Sequence, residues 1–140
     1  MVNIFLSPHL DDAALSCGGL IRDQIQSGQT VSVWTFFSAD PPPGPLSTFA
    51  RQLHETWKAD EMSVQIRREE DIRAMQQLGC QWRHLNYPDC IYRTDPDAGD
   101  PIIQKRDDLF SLVYEPEVDL LAELTGLLKS QIPENANVYC

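Results

Sequence analysis

Basic charge is scarce in this chain: 11 lysines and arginines stand against 21 aspartates and glutamates, a formal net charge of −10 over 140 residues. Nucleic-acid binding needs a basic stripe that neutralises phosphates, and the arginines here form none, which argues against that class of partner. The same balance disfavours docking on an anionic membrane surface. Long apolar runs are also missing. Ile4-Phe5-Leu6 is too short for a membrane span, and the N-terminus has neither the basic start nor the apolar core of a signal peptide, so neither a span nor export is expected. Cysteine is sparse and scattered. Cys17, Cys80, Cys90 and Cys140 contain no C-x-x-C pair, which speaks against a zinc ribbon or a disulfide framework and for reduced thiols in the cytoplasm. Histidine occurs only at His9, His54 and His84. There are no internal repeats, and the one low-complexity stretch is Pro41-Pro42-Pro43-Gly44-Pro45, a stiff extended loop.

What remains is an ordinary globular composition, 42% hydrophobic and 23% charged, in a length that fits one domain over residues 1–140. Apolar runs at 2–6 and 31–37 predict buried strands, and Leu15, Leu20, Ile21 and Ile25 recur at helical spacing between them, with Gly28 as the stop. Strand, helix, strand within 40 residues is a βαβ unit. Helices are expected over 46–58, with Ser47 as cap, and over 64–78, closed by Gly79. A third strand follows at 81–85, loop at 86–100, one helical turn at 109–114, a helix at 118–132 stopped by Pro133, and a fourth strand at 137–140. The alternation predicts an α/β fold: a three-layer, mostly parallel, Rossmann-like open sheet with helices on both faces. Sheets of that kind bind ligands beyond the carboxyl ends of their strands.

That edge is where the first strand delivers Ser7-Pro8-His9-Leu10-Asp11-Asp12. One imidazole and two carboxylates within four positions can hold a divalent metal through His9 and Asp12, which leaves Asp11 to take a proton from metal-bound water. A cation also offsets the repulsion between the adjacent carboxylates. Gly18 and Gly19, one turn onward, would let a backbone or substrate approach. The alternative is a capped helix, with Asp11 or Asp12 as N-cap and His9 as a satisfied polar residue. Spacing alone leaves both open. Arg67 and Arg68, followed by Glu69, Glu70 and Asp71, are most simply a solvated helix face with spaced ion pairs, although the arginine pair can receive an anionic or polyhydroxylated ligand. Asp89 fits an ordinary turn. His54, beside Leu53 and Trp57, fits a structural role, and His84 lies nearer the proposed site.

Pro8-His9-Leu10-Asp11-Asp12 with Gly18-Gly19 resembles the signature of the LmbE-like (PIG-L) de-N-acetylases, zinc hydrolases that remove acetyl from N-acetylglucosamine-containing substrates. The family usually has proline where Leu10 stands, a position that contributes no ligand atom. Arg67-x-x-Glu70-x-x-x-Ala74-x-x-x-Leu78-Gly79 is similar to the family's arginine-bearing helix, and Leu85-Asn86-Tyr87-Pro88-Asp89 to its loop after the third strand. The resemblance implies that His9 and Asp12 bind zinc (iron(II) or another divalent ion being open), and that Asp11 is the base. It further implies that Arg67 lines the substrate site and Asp89 contacts the sugar. The family draws its third metal ligand from a histidine motif after the fourth strand, and no such motif precedes Cys140. The chain is therefore expected to be the N-terminal part of a longer protein, or one piece of a split one. The resulting expectation is a cytoplasmic, metal-dependent N-deacetylase acting on a small amino-sugar substrate, with homo-oligomerisation open. The alternatives are an incomplete or non-catalytic α/β module that needs a further segment or partner chain, and a metal-dependent phosphoesterase.

Overall fold

The computed structural model describes residues 2–57, 63–110 and 117–140. They fall into two compact units, one made of Met1–Asp40, Asp60–Pro88 and Asn135–Cys140, the other of Pro41–Ala59 and Asp89–Glu134.

The first unit carries a four-stranded parallel sheet flanked by helices. Its strands are β1 (Val2–His9), β2 (Thr30–Phe37), β3 (Gln81–His84) and β4 (Asn137–Tyr139), in the order β3-β2-β1-β4. Phe5 lies opposite Val33 on one side and Tyr139 on the other. The β-branched and aromatic run of β2 suits a strand buried on both faces: Val31, Val33, Trp34, Thr35 and Phe36 are all buried. Helices α1 (Asp12–Gln26) and α3 (Ser63–Leu78) pack on one face. There Ile21 and Met75, both at 0% exposure, close over Phe5, Val31 and Val33. Each such side chain contributes about 1.5–3 kcal/mol through burial. Phe5 stacks on Tyr139 with ring centroids 4.4 Å apart, and Cys17 packs at the rim of this core. Gly28 and Gly79, at φ 77° and 84°, end α1 and α3 in the left-handed conformation that a β-carbon disfavours. Both glycines stop the helices that the sequence predicts.

The second unit holds α2 (Thr48–Trp57), α4 (Val118–Gln131) and two short 3-10 helices, Cys90–Tyr92 and Arg106–Phe110. Phe49, Ala50, Ile91 and Ile103 form its core. The Ser47 hydroxyl accepts from the Ala50 amide at 3.1 Å, the cap expected there. His54, 8% exposed, bonds the Tyr92 hydroxyl at 2.7 Å and tilts against Trp57, which is the structural role expected of it.

Most element ends shift from expectation by one or two residues, and the helical turn expected at 109–114 begins already at Arg106. β1 runs three residues further, to His9, because Ser7 and His9 stay in register with Thr35 and Phe37 of β2. The segment at 86–100 is not all loop: Asp89 nucleates a 3-10 turn that buries Ile91. Residue 58 of the expected second helix and residues 111–114 of the expected 109–114 turn lie outside the described residues. Among the described residues no helix is long and apolar enough to cross a membrane.

Candidate active site

Parallel pairing sends the carboxyl ends of β1, β2 and β3 to one edge, and the chain's polar cluster forms there. The turn from β1 into α1 is built by Ser7. Its hydroxyl, 2% exposed, donates to the His9 carbonyl at 2.8 Å and accepts from the Ala13 amide at 3.2 Å. This serine satisfies a helix-start amide from six residues upstream, a service usually left to the N-cap side chain. Asp11 occupies the N-cap position but makes no side-chain cap bond. The capped-helix alternative therefore holds for the position of Asp11 and not for its side chain.

The Asp12 carboxylate turns back instead. Its Oδ2 accepts from the His9 backbone amide at 3.0 Å and lies 3.4 Å from His9 Nδ1, both side chains being nearly half exposed. Two donor atoms about 2.1 Å from a tetrahedral ion sit about 3.4 Å apart, so this pair has the spacing of neighbouring ligands on a zinc-sized cation. The imidazole is steadied by the Phe37 ring, 5.8 Å away between centroids. Among the described residues, no group of three His, Cys, Asp or Glu side chains gathers as a metal site.

The Asp11 carboxylate turns to Arg67, and the residue's backbone is unusual. At φ 74° and ψ −22° it is left-handed, one of two such non-glycine residues described, the other being Asn86. A conformation of that kind costs on the order of 1–3 kcal/mol and persists only when its surroundings enforce it. Two residues of α3 do so. Arg67 Nη2 donates to the Leu10 carbonyl at 3.2 Å and reaches Asp11 Oδ2 at 3.5 Å. Asp71 Oδ1 accepts from the Asp11 amide at 3.2 Å. The other oxygen of Asp71 pairs with His84 Nε2 at 2.8 Å.

These contacts correct the solvated-face interpretation at Arg67, Arg68 and Asp71, whereas Glu69 and Glu70 are exposed as it expects. Arg67 serves the β1–α1 turn. Arg68 donates to the Ser38 carbonyl at 2.8 Å and to Asp40 at 2.9 Å, which ties down the segment after β2. Asp71, at 2% exposure, is buried. Sequence reasoning missed it, although helical period sets it on the stripe of Ala74, Met75 and Leu78. His84 reaches the site region through this carboxylate. No neighbouring backbone closes on the paired glycines among the described residues. A β-carbon on Gly18 would meet Leu78 at an ordinary 4.0 Å, and one on Gly19 would meet nothing described within 4 Å.

Asp89 belongs to the second unit. Its Oδ1 accepts from the Ile91 amide at 3.2 Å and from the Cys90 thiol at 3.3 Å. Burial, and then the Asp89 charge, push the Cys90 thiol up to about 12, and burial raises that of Cys80 as well. All four cysteines are free, and neither of these two is an activated nucleophile.

Residues 4–135 match the family described as PIG-L, GlcNAc-PI de-N-acetylase. The chain is 30% identical over 129 residues to a 2'-N-acetylparomamine deacetylase of Niallia circulans, covering 84% of this chain and 46% of that relative. Among solved structures it resembles a deacetylase–teicoplanin complex from teicoplanin biosynthesis (TM-score 0.78, 31% identity, 99% of this chain and 57% of that one). It also resembles the zinc-inhibited form of teicoplanin deacetylase (TM-score 0.76, 29% identity, 99% and 55%). The chain thus spans about half the length of the relatives it matches.

Proposed function

This chain belongs to the PIG-L family, the GlcNAc-PI de-N-acetylases, and from that membership we propose that it serves the hydrolysis of an N-acetyl group on an amino-sugar substrate. His9 and Asp12 would hold a divalent cation, zinc or another ion such as iron(II); among the described residues no third ligating side chain gathers beside them. When bound, the ion polarises the acetamide carbonyl and the attacking water. Asp11 accepts the proton that water loses as its oxygen bonds to the acetyl carbon, and passes it to the nitrogen as the C–N bond breaks, giving acetate and a free amine. Arg67 fixes the Asp11 carboxylate, and its half-exposed guanidinium also meets a polar group of the substrate. Asp89 is proposed as a contact to the sugar. A cytoplasmic setting is proposed from the scattered cysteines, which contain no C-x-x-C pair.

The observation that carries this reading is the 3.4 Å approach of His9 Nδ1 to Asp12 Oδ2 beside an aspartate whose backbone is left-handed. The test is acetate release by the full-length, zinc-loaded protein from N-acetylated aminoglycosides and N-acetylglucosamine glycosides, with phosphate esters as a parallel panel. Release that is abolished by chelation and by Asp11→Ala supports the reading. Turnover of phosphate esters alone would replace it with the phosphoesterase alternative.

A second reading is favoured by one observation, the lack of a third ligating side chain beside His9 and Asp12 among the described residues. On that reading the chain is an incomplete module that acts only with a further segment or a partner chain. Stoichiometric zinc bound by the 140-residue chain alone would count against it.

A further inference from the structure

We infer that Asp71 and His84 form a positioning pair that sets the backbone of Asp11, and with it the direction of the catalytic carboxylate; the inference rests on the proposed role of Asp11 as base. A carboxylate at 2% exposure is costly to bury unless both oxygens are bonded. Here each oxygen has one partner, and the two partners come from different parts of the unit. Oδ1 takes the amide of Asp11, 60 positions away at the β1–α1 turn, and Oδ2 takes His84 Nε2, at the end of β3. His84 is itself fixed by its place opposite Thr35 in the sheet, and its side chain is 14% exposed. The order of support therefore runs from sheet to imidazole, to buried carboxylate, to the amide of a strained residue.

That chain of contacts has a geometric consequence. The Asp11 amide is the group whose direction fixes φ at residue 11, and φ is 74° there. Were the amide to swing off Asp71, residue 11 would relax towards the ordinary helical region and its carboxylate would leave Arg67. Neither Asp71 nor His84 makes a described hydrogen bond or ion pair to the His9 or Asp12 side chain. Their effect is expected on the base and not on metal retention.

The experiment follows two readouts in the full-length protein. The first is the Asp11 amide proton by NMR, its shift and its exchange protection. The second is the split of kcat from KM for the acetylated substrate at full zinc occupancy. Asp71→Ala is expected to move the amide upfield, remove its protection and lower kcat about 100-fold with KM and zinc content unchanged, the scale expected when a catalytic group is misplaced by about 1 Å. Asp71→Asn keeps an acceptor oxygen for the amide and should hold kcat close to wild type. Should Asp71→Ala fail to fold, His84→Ala, which removes only the outer support, is expected to weaken the amide protection and lower kcat in the same direction. An Asp11 amide that is unmoved in Asp71→Ala or His84→Ala overturns the inference, as does a loss of kcat that follows loss of zinc. Wild-type turnover in Asp11→Asn would instead remove the base assignment, an outcome read independently of the amide signal.

Discussion

Replacing residue 11 by glycine and by alanine should give an order of stability opposite to that of an ordinary helix site. Within a helix, alanine is favoured over glycine by about 1 kcal/mol. At φ 74° the β-carbon of alanine crowds the neighbouring carbonyl, which costs roughly 1–2 kcal/mol. Glycine escapes that clash and loses only about 0.5–1 kcal/mol through the greater freedom of its unfolded chain. Both variants lose the Arg67 contact, worth about 0–1 kcal/mol between half-exposed groups, and both keep the amide bond to Asp71. These shared effects cancel. The glycine variant should therefore be the more stable by about 0.5–1 kcal/mol, roughly 2–4 °C in Tm for a chain of this size. Thermal and urea unfolding of the two proteins side by side measure the difference. Both should lose turnover by about 10²–10⁴-fold, the usual contribution of a general base. An alanine variant that melts at or above the glycine variant would refute the left-handed conformation, and with it the geometry that turns Asp11 to Arg67.

Three further outcomes are expected. Ser7→Ala removes a buried hydroxyl that serves both the Ala13 amide and the His9 carbonyl, and should cost about 1–3 kcal/mol in urea unfolding; a change under about 0.5 kcal/mol would show that the hydroxyl does not hold the turn. Arg67→Ala should lower turnover more than it lowers stability, because the stability effect of its exposed ion pair is about 0–1 kcal/mol; equal activity in the variant would remove Arg67 from the site. The thiols should differ in alkylation. At pH 8 the exposed Cys140 reacts, while Cys90 stays protonated because its folded value, about 12, lies above its ordinary 9.0. A raised value favours the folded state below pH 9, and that contribution is lost as pH climbs towards about 12, so Cys90 labelling and loss of stability should appear together in that window. Rapid labelling of Cys90 in the folded protein at pH 8 would contradict its burial beside Asp89.

Strands, helix stops and the edge that carries the candidate site were legible in the sequence for local reasons. The run at 31–37 is apolar and β-branched without interruption, and Gly28 and Gly79 stand where helical periodicity ends. Parallel connection then obliges the end of β1, with its imidazole and carboxylates, to lie at the ligand-binding edge. What stayed hidden depended on partners distant in sequence. Asp71 follows four other charged residues and has the look of a solvated face, yet its partners are 60 and 13 positions away and both contacts are partly buried. Arg67 and Arg68 have carboxylates close by on their own helix and turn instead to Leu10, Asp11, Ser38 and Asp40. The left-handed turn at Asp11 has no local signature either, because aspartate tolerates that conformation without demanding it. In the 86–100 segment, one apolar residue, Ile91, was enough to draw a 3-10 turn into the second unit's core.

On the proposed function, His9 and Asp12 share a cation that Asp11 does not touch. Zinc-edge X-ray absorption on the full-length protein, paired with zinc content in His9→Ala, Asp12→Ala and Asp11→Ala, tests this directly. The predicted result is an imidazole nitrogen and carboxylate oxygen at about 2.0–2.2 Å, zinc lost in the first two variants and kept in the third. Full zinc occupancy with an unchanged spectrum in His9→Ala would contradict it.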